Sequence, residues 1–334
     1  MITMDTENST YDTALTTPHK TAVVCHDAGA ANIIIASLLY TGRSGWRAYM
    51  RGPAKKLWEE AYPGGELCEA LDSTLDGVDL LISGTGWSSD IEHEARTNAR
   101  DRGVRSVAII DHWTNYRTRF IRDELQILPD EIWVTDQHAK GLVEREFVNI
   151  KVVQLPNLYL KKLVQEVRQH ESTGMNQTGS NLLYVLEPIR HAWGKDVVNG
   201  EFLGLDFFVK NLAIIGLGDD LLIRLRPHPS DPIGKYDQWL DAQKGMNISL
   251  DVVSTLAESV AWADVVVGCQ TYAMVVALAA GRRVFSSNPP WAPQCVLPHP
   301  DIIKLSDFPS KITPTDEVVT LNNHSTEGTV TNGS

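Results

Sequence analysis

LLIRLRPHPSD, residues 221–231, reads as a β-strand that stops at a Pro-His-Pro turn. Leu221–Arg226 has strand composition. Pro227 and Pro229 fix φ and remove backbone donors, so the ladder ends there. His228 is thereby held at the carboxyl end of a strand, beside Arg226. An imidazole in that place can donate to a phosphate oxygen and balance charge on a departing nucleotide. A histidine fixed between prolines for structural reasons is the competing reading.

On both sides of this turn, short apolar runs alternate with helical stretches. Downstream of residue 180 the strands fit Asn181–Leu186, Leu221–Arg226, Ile248–Asp251, Asp264–Gly268 and Arg283–Ser286, with helices over Gly200–Ile215, Gly234–Gln243, Leu256–Ala263 and Tyr272–Ala280. Upstream, strands fit Thr21–His26, Trp46–Met50, Asp79–Ser83, Ser106–Asp111, Glu131–Thr135 and Lys151–Leu155. Helices there fit Asn32–Tyr40, Ala54–Ala61, Asp90–Arg102 and Gln137–Phe147. Continuous apolar strands separated by amphipathic helices predict parallel sheets covered on both faces. The expected architecture is α/β, with Rossmann-like domains at 21–157 and 181–312 facing a central cleft. Residues 158–180 are expected as the linker, with a charged helix over Leu160–His170, and the polar ends 1–20 and 313–334 as disordered tails. Ligands of open α/β sheets bind at the carboxyl ends of the strands.

Composition narrows the class. The chain has 334 residues, 43% hydrophobic and 22% charged, with a net charge of −12. An acidic chain without a basic stripe is a poor nucleic-acid binder, because phosphate neutralisation supplies most of that affinity. Cys25, Cys68, Cys269 and Cys295 are far apart and draw no zinc site. Cys25 and Cys269 end apolar runs, where a reduced, buried thiol is expected. The N-terminus lacks an apolar signal region. The longest apolar run, Asp264 to Gly281, is broken by Gln270 and Thr271 and falls short of a membrane span. A cytoplasmic protein without metal or cofactor is expected; peripheral membrane association and a homodimer stay open.

Four further clusters carry polar chemistry at strand ends. TAVVCHDAGAAN (21–32) places His26 and Asp27 before a small-residue turn at Gly29, which allows close backbone approach to a ligand. It is not a dinucleotide fingerprint, and Asp27 also reads as a simple helix cap. SGTGWSSDIEHE (83–94) offers Thr85 and Gly86 in a tight turn. Ser89 and Glu92 there have the spacing of a capping box. DHWTNYRTRF (111–120) crowds Asp111, His112, Trp113, Tyr116, Arg117 and Arg119 together, as a sugar or anion pocket would. Arg117 and Arg119 could form a fork for a sugar carboxylate, with Trp113 or Tyr116 stacking on a sugar face. The alternatives are aromatic rings covering the core and solvated arginines. Finally, Gln270 and Thr271 fall at a helix start, where orphan N–H groups favour a phosphate and Thr271 also serves as a cap.

The His228-Pro229 dipeptide, followed about 40 residues later by a Thr-bearing helix start behind the Ala263-Asp264-Val265-Val266 strand, resembles bacterial glycosyltransferases of GT-B architecture. The likeness is to polysialyl-, sialyl-, Kdo- and glycerophosphate-transferases that build surface polysaccharides. It implies that His228 and Thr271 contact the phosphate of a nucleotide-sugar donor, with a cytidine nucleotide favoured and UDP left open. It also implies a glycan acceptor activated by a base of the N-terminal domain. The nearest match to that family's acidic pair before Gly is His26-Asp27-Ala28-Gly29. The resulting expectation is an inverting, metal-independent transferase with Asp27, His26 and His228 as catalytic residues. A hydrolysing nucleotide-sugar 2-epimerase shares the two-domain cleft but uses an acidic cluster not evident in this sequence. A non-catalytic binding protein of the same fold is the third reading.

Overall fold

The structure, a computed structural model, describes residues 20–42, 44–173, 180–193, 198–218, 220–253 and 255–308. The expected tails, Lys20 apart, lie outside the described residues.

The first domain runs β1 (Thr21–Cys25), α1 (Ala28–Tyr40), β2 (Arg47–Met50), α2 (Gly52–Ala61), α3 (Leu71–Thr74), β3 (Leu80–Ser83), α4 (Ile91–Asp101) and β4 (Arg105–Ile109). A two-stranded hairpin follows, β5 (Ile121–Arg122) with β6 (Leu125–Gln126), turned by Asp123 and Glu124 at positive φ. Then come β7 (Glu131–Val134), α5 (Gln137–Glu146), β8 (Lys151–Gln154) and α6 (Leu158–Thr173). The second domain runs β9 (Ser180–Val185), α7 (Gly200–Lys210), α8 (Leu212–Ile215), β10 (Leu221–Arg226), α9 (Asp237–Ala242), β11 (Ile248–Leu250), α10 (Leu256–Trp262), β12 (Val265–Gly268), α11 (Tyr272–Ala279), β13 (Arg283–Ser286) and β14 (Ile302–Lys304).

Each domain holds one six-stranded parallel sheet, ordered β2-β1-β3-β4-β7-β8 in the first and β11-β10-β9-β12-β13-β14 in the second. Strands β1, β3, β7 and β12 are buried along their whole length, as the continuous apolar runs require. Strand order reverses between β1 and β3 and between β9 and β12. The loops leaving those four strands therefore diverge and leave a crevice at each switch point. These are the loops that carry His26, Thr85, Glu187 and Gln270.

The segment expected as a linker is mostly the helix α6. It packs on α1 of the first domain and on α10 and α11 of the second. Residues 174–179 lie outside the described residues. One hydrophobic cluster crosses between the domains, joining Trp113, Tyr116 and Phe147 to Val266, Met274 and Leu297. Among the described residues, no helix is long and apolar enough to cross a membrane.

Candidate functional site

Three separate sequence motifs meet at the first switch point. Asp27 is the residue before α1, but its carboxylate does not cap that helix. It turns to His26 instead, with Oδ1 2.6 Å from the ring Nδ1, while Oδ2 accepts the Trp87 N–H at 3.3 Å. Gly86 lies against that carboxylate and Gly29 against the carboxylate of Asp111, so a Cβ at either position would collide with it. Gly52, at φ +50°, presses in the same way on the His26 ring.

Glu92 was missed as part of this site, because Ser89-x-x-Glu92 reads as a capping box. The structure corrects that reading: Asp90 precedes α4, and Ser89 Oγ accepts only the Ile91 N–H. Glu92 is 1% exposed. It turns inward, where its two oxygens accept the His26 N–H at 3.0 Å and the Gly86 N–H. It thus ties the β1 loop to the β3 loop. Burial raises its pKa, and the two backbone donors and Arg96 pull it back.

Across the cleft, the Pro-His-Pro turn is closed by Asp231. Its Oδ2 accepts the His228 N–H at 3.1 Å and the Tyr236 hydroxyl at 2.9 Å, and its Oδ1 meets Lys235 Nζ at 2.6 Å. The Ser230 N–H donates to His228 Nδ1 at 3.1 Å. A backbone N–H can only donate, so Nδ1 is an acceptor and the neutral ring carries its proton on Nε2. Burial lowers the His228 pKa, with Asp231 opposing and Lys235 and Arg190 reinforcing that shift. Thr271 caps α11, its Oγ1 accepting the Ala273 N–H at 3.4 Å.

A cavity of about 390 Å³ opens on the second-domain side and reaches the first domain at His112; Asp27 and His26 do not line it. Of the residues singled out in the sequence, His112, His228, Gln270 and Thr271 line it. Glu187, Trp193 and Tyr272 also line it, and the sequence reading did not single them out. Glu187 follows β9 at the second switch point, a position that only the strand order reveals. Trp193 packs against Gly200 of α7, where a Cβ would crowd its indole. Tyr272 accepts the Asn157 amide N–H at 3.2 Å and stacks on Trp113, fastening the domains beside the cavity.

Other candidates are placed elsewhere. The expected arginine fork is not formed. Arg117 is exposed and pairs with Glu146 on the flank. Arg119 is 5% exposed, and its guanidinium holds Asp111 Oδ1, Thr85 O and Oγ1, and Thr114 O. Trp113 and Tyr116 are buried rather than open to a sugar. Trp113 donates to Asp136 and packs edge-on against His299, because the domain interface runs over this loop. Arg226 pairs with Asp251 and Ser259 under the strand end and does not line the cavity. Among the described residues, no three His, Cys, Asp or Glu side chains gather as a metal site requires.

No protein-family model matches the chain, and no curated protein matches it in sequence. Solved structures do match. The UDP-GlcNAc 2-epimerase from Neisseria meningitidis, bound to UDP-GlcNAc, superposes with a TM-score of 0.57 at 11% identity, covering 80% of this chain and 82% of that one. The putative UDP-N-acetylglucosamine 2-epimerase from Listeria monocytogenes gives 0.53 at 11% identity, over 79% and 78%. The UDP-N-acetylglucosamine 2-epimerase from Rickettsia bellii gives 0.50 at 8% identity, over 80% and 79%. At these identities the likeness is one of fold. The fold is GT-B-like: two Rossmann-like domains around a cleft.

Proposed function

We propose that this protein is an enzyme that binds a nucleotide sugar in the cleft and breaks the bond between the anomeric carbon and the nucleotide phosphate. The observation that carries the reading is His228, whose Nε2–H tautomer is set by the Ser230 N–H on the same cavity that α11 enters with its N-terminus. Cleavage of that bond leaves charge on phosphate oxygens. A fixed N–H donor and a helix start aimed there stabilise the charge without reorganising.

Of the two fates for the sugar, we favour the hydrolysing 2-epimerase reading over transfer. Three of the matching solved structures, with TM-scores of 0.57, 0.53 and 0.50, are UDP-GlcNAc 2-epimerases or a putative one. Asp27 and Asp111, far apart in the sequence, both lie at the first switch point, and Glu92 ties the loops there, which supports an acidic site of that kind. Asp27, oriented with His26, is the group we assign to take the proton from the sugar carbon next to the anomeric centre. The second reading keeps the same donor site and has Asp27 and His26 deprotonate a glycan hydroxyl. The Pro-His-Pro turn favours it.

Incubation with UDP-GlcNAc and with a CMP-activated acidic sugar, without acceptor, separates the readings. Release of nucleotide and free epimerised sugar supports the epimerase. A donor left intact until a glycan acceptor is added supports transfer. Neither consumption nor nucleotide binding would discard both. His228→Ala is expected to lower turnover about 10²-fold or more with the fold retained, the usual size of losing one placed donor.

A further inference from the structure

Glu187 leaves β9 at the switch point of the second sheet and lines the cavity with His228, Gln270 and Thr271. The Gln270 N–H faces its carboxyl and favours the charged form. The cation that pairs with Glu201 is already engaged: Lys235 Nζ lies 2.5 Å from Glu201 Oε1 and 2.6 Å from Asp231 Oδ1. Among the described residues, no Lys or Arg forms an ion pair with Glu187. The other titratable groups facing it are Tyr184 on β9, Glu201 on α7, Cys269 after β12 and Cys295, with His112 and His228 on the cavity walls. Burial pushes the Glu187 carboxyl up to about 7; the Gln270 N–H pulls it down and the charge of Glu201 pushes it up.

A carboxylate on the phosphate side of the cleft would repel the ligand, whereas a carboxylic acid supplies an O–H donor. We propose that Glu187 is a phosphate-recognition residue whose carboxyl O–H donates to a phosphate oxygen of the bound nucleotide, alongside the Nε2–H of His228. The inference rests on the nucleotide reading above and deepens it. The protein then takes up nucleotide as the acid and loses affinity as that proton leaves, so nucleotide release answers to pH across neutrality.

Calorimetric titration of the full chain with UDP and with CDP, at pH 6.0 and pH 8.5, tests this. If only the acid form binds, the wild-type Kd weakens about 30-fold between those values, beyond any change seen in Glu187→Gln. Titration of the phosphate and of His228 is common to both proteins and cancels in the comparison. The Gln amide donates at both pH values, so Glu187→Gln binds with a nearly flat Kd, and Glu187→Ala binds more weakly than wild type at pH 6.0. Equal pH ratios in wild type and Glu187→Gln, within about twofold, would overturn the proposal. So would the absence of net proton uptake when wild type binds UDP at pH 7.5, read in buffers of different ionisation heat. That reading needs no variant. If wild type binds neither nucleotide at either pH, the nucleotide reading itself falls and the role of Glu187 falls with it.

Discussion

Asp27 holds His26 by Nδ1 at 2.6 Å while its other oxygen takes the Trp87 N–H. One carboxylate therefore spans the β1 and β3 loops and leaves the pair partly open, with side chains 27% and 19% exposed. A base oriented in this way contributes about 10²–10⁴-fold to a proton transfer. Asp27→Asn keeps the shape and removes the basic oxygen. Steady-state assay of nucleotide-sugar turnover is expected to show kcat reduced by that factor, with UDP affinity within about twofold of wild type. Near-normal kcat would take Asp27 out of the chemistry.

Glu92 is a positioning residue, since it reaches the site only through the backbone of His26 and Gly86. Glu92→Ala strands both N–H donors in a buried place, at a cost of about 1–3 kcal/mol for each group left unpaired. Thermal denaturation is expected to show a clear loss of stability, together with reduced kcat and a nucleotide Kd close to wild type. An unchanged melting temperature would mean that water replaces the carboxylate and that the loops are held by other contacts.

The layout of the two sheets was legible in the sequence because their apolar runs are continuous and their breaks are marked by Gly and Pro. Residues 221–226 and 283–286 form strands with the expected bounds. Helix α1 begins four residues earlier than its apolar period suggests, since Ala28 and Gly29 carry no periodic signal. Strand β14 was missed because three residues after a Pro-rich stretch give no pattern. The site divides in the same way. His228 and Thr271 announce themselves through local turn and cap chemistry. Glu187 and Glu92 do not, because their environment is made by strand order and by loops distant in sequence. Arg119 reads as a cation but not as a buried one, since the Thr85 loop that encloses it is distant in sequence.

The raised carboxyl of Glu187 also bears on stability. Its pKa near 7 in the folded protein lies above the ordinary carboxylate value of 4.5, so the folded state binds more protons than the unfolded chain between those values. Stability from this group is therefore full in acid and is lost as pH rises toward and through 7. Glu187→Gln removes that dependence. Melting curves without ligand, from pH 5.5 to pH 8.0, are expected to fall less steeply for the variant and to place it above wild type at pH 8.0. Parallel curves would show that Glu187 is charged across this range.

Arg117 and Arg119, two residues apart, differ in kind. Arg119 Nη1 shares Thr85 and Asp111, and Nε holds Thr114 O, so this one side chain joins the loops that leave β3 and β4. Its removal leaves the Asp111 carboxylate and two carbonyls without their donor in a nearly closed space. Breaking a buried pair costs about 3–5 kcal/mol. Arg117 meets Glu146 in the open, and such exposed pairs contribute about 0–1 kcal/mol. Denaturant unfolding of Arg119→Gln is thus expected to show a loss of several kcal/mol, and that of Arg117→Gln less than about 1 kcal/mol. Because Asp111 abuts Gly29 at the first switch point, the Arg119 variant also loses turnover, through displacement of that carboxylate. The Arg117 variant keeps both its stability and its KM for any acidic sugar it accepts. A large rise in KM for Arg117→Gln alone would instead put the flank of the domain in contact with substrate.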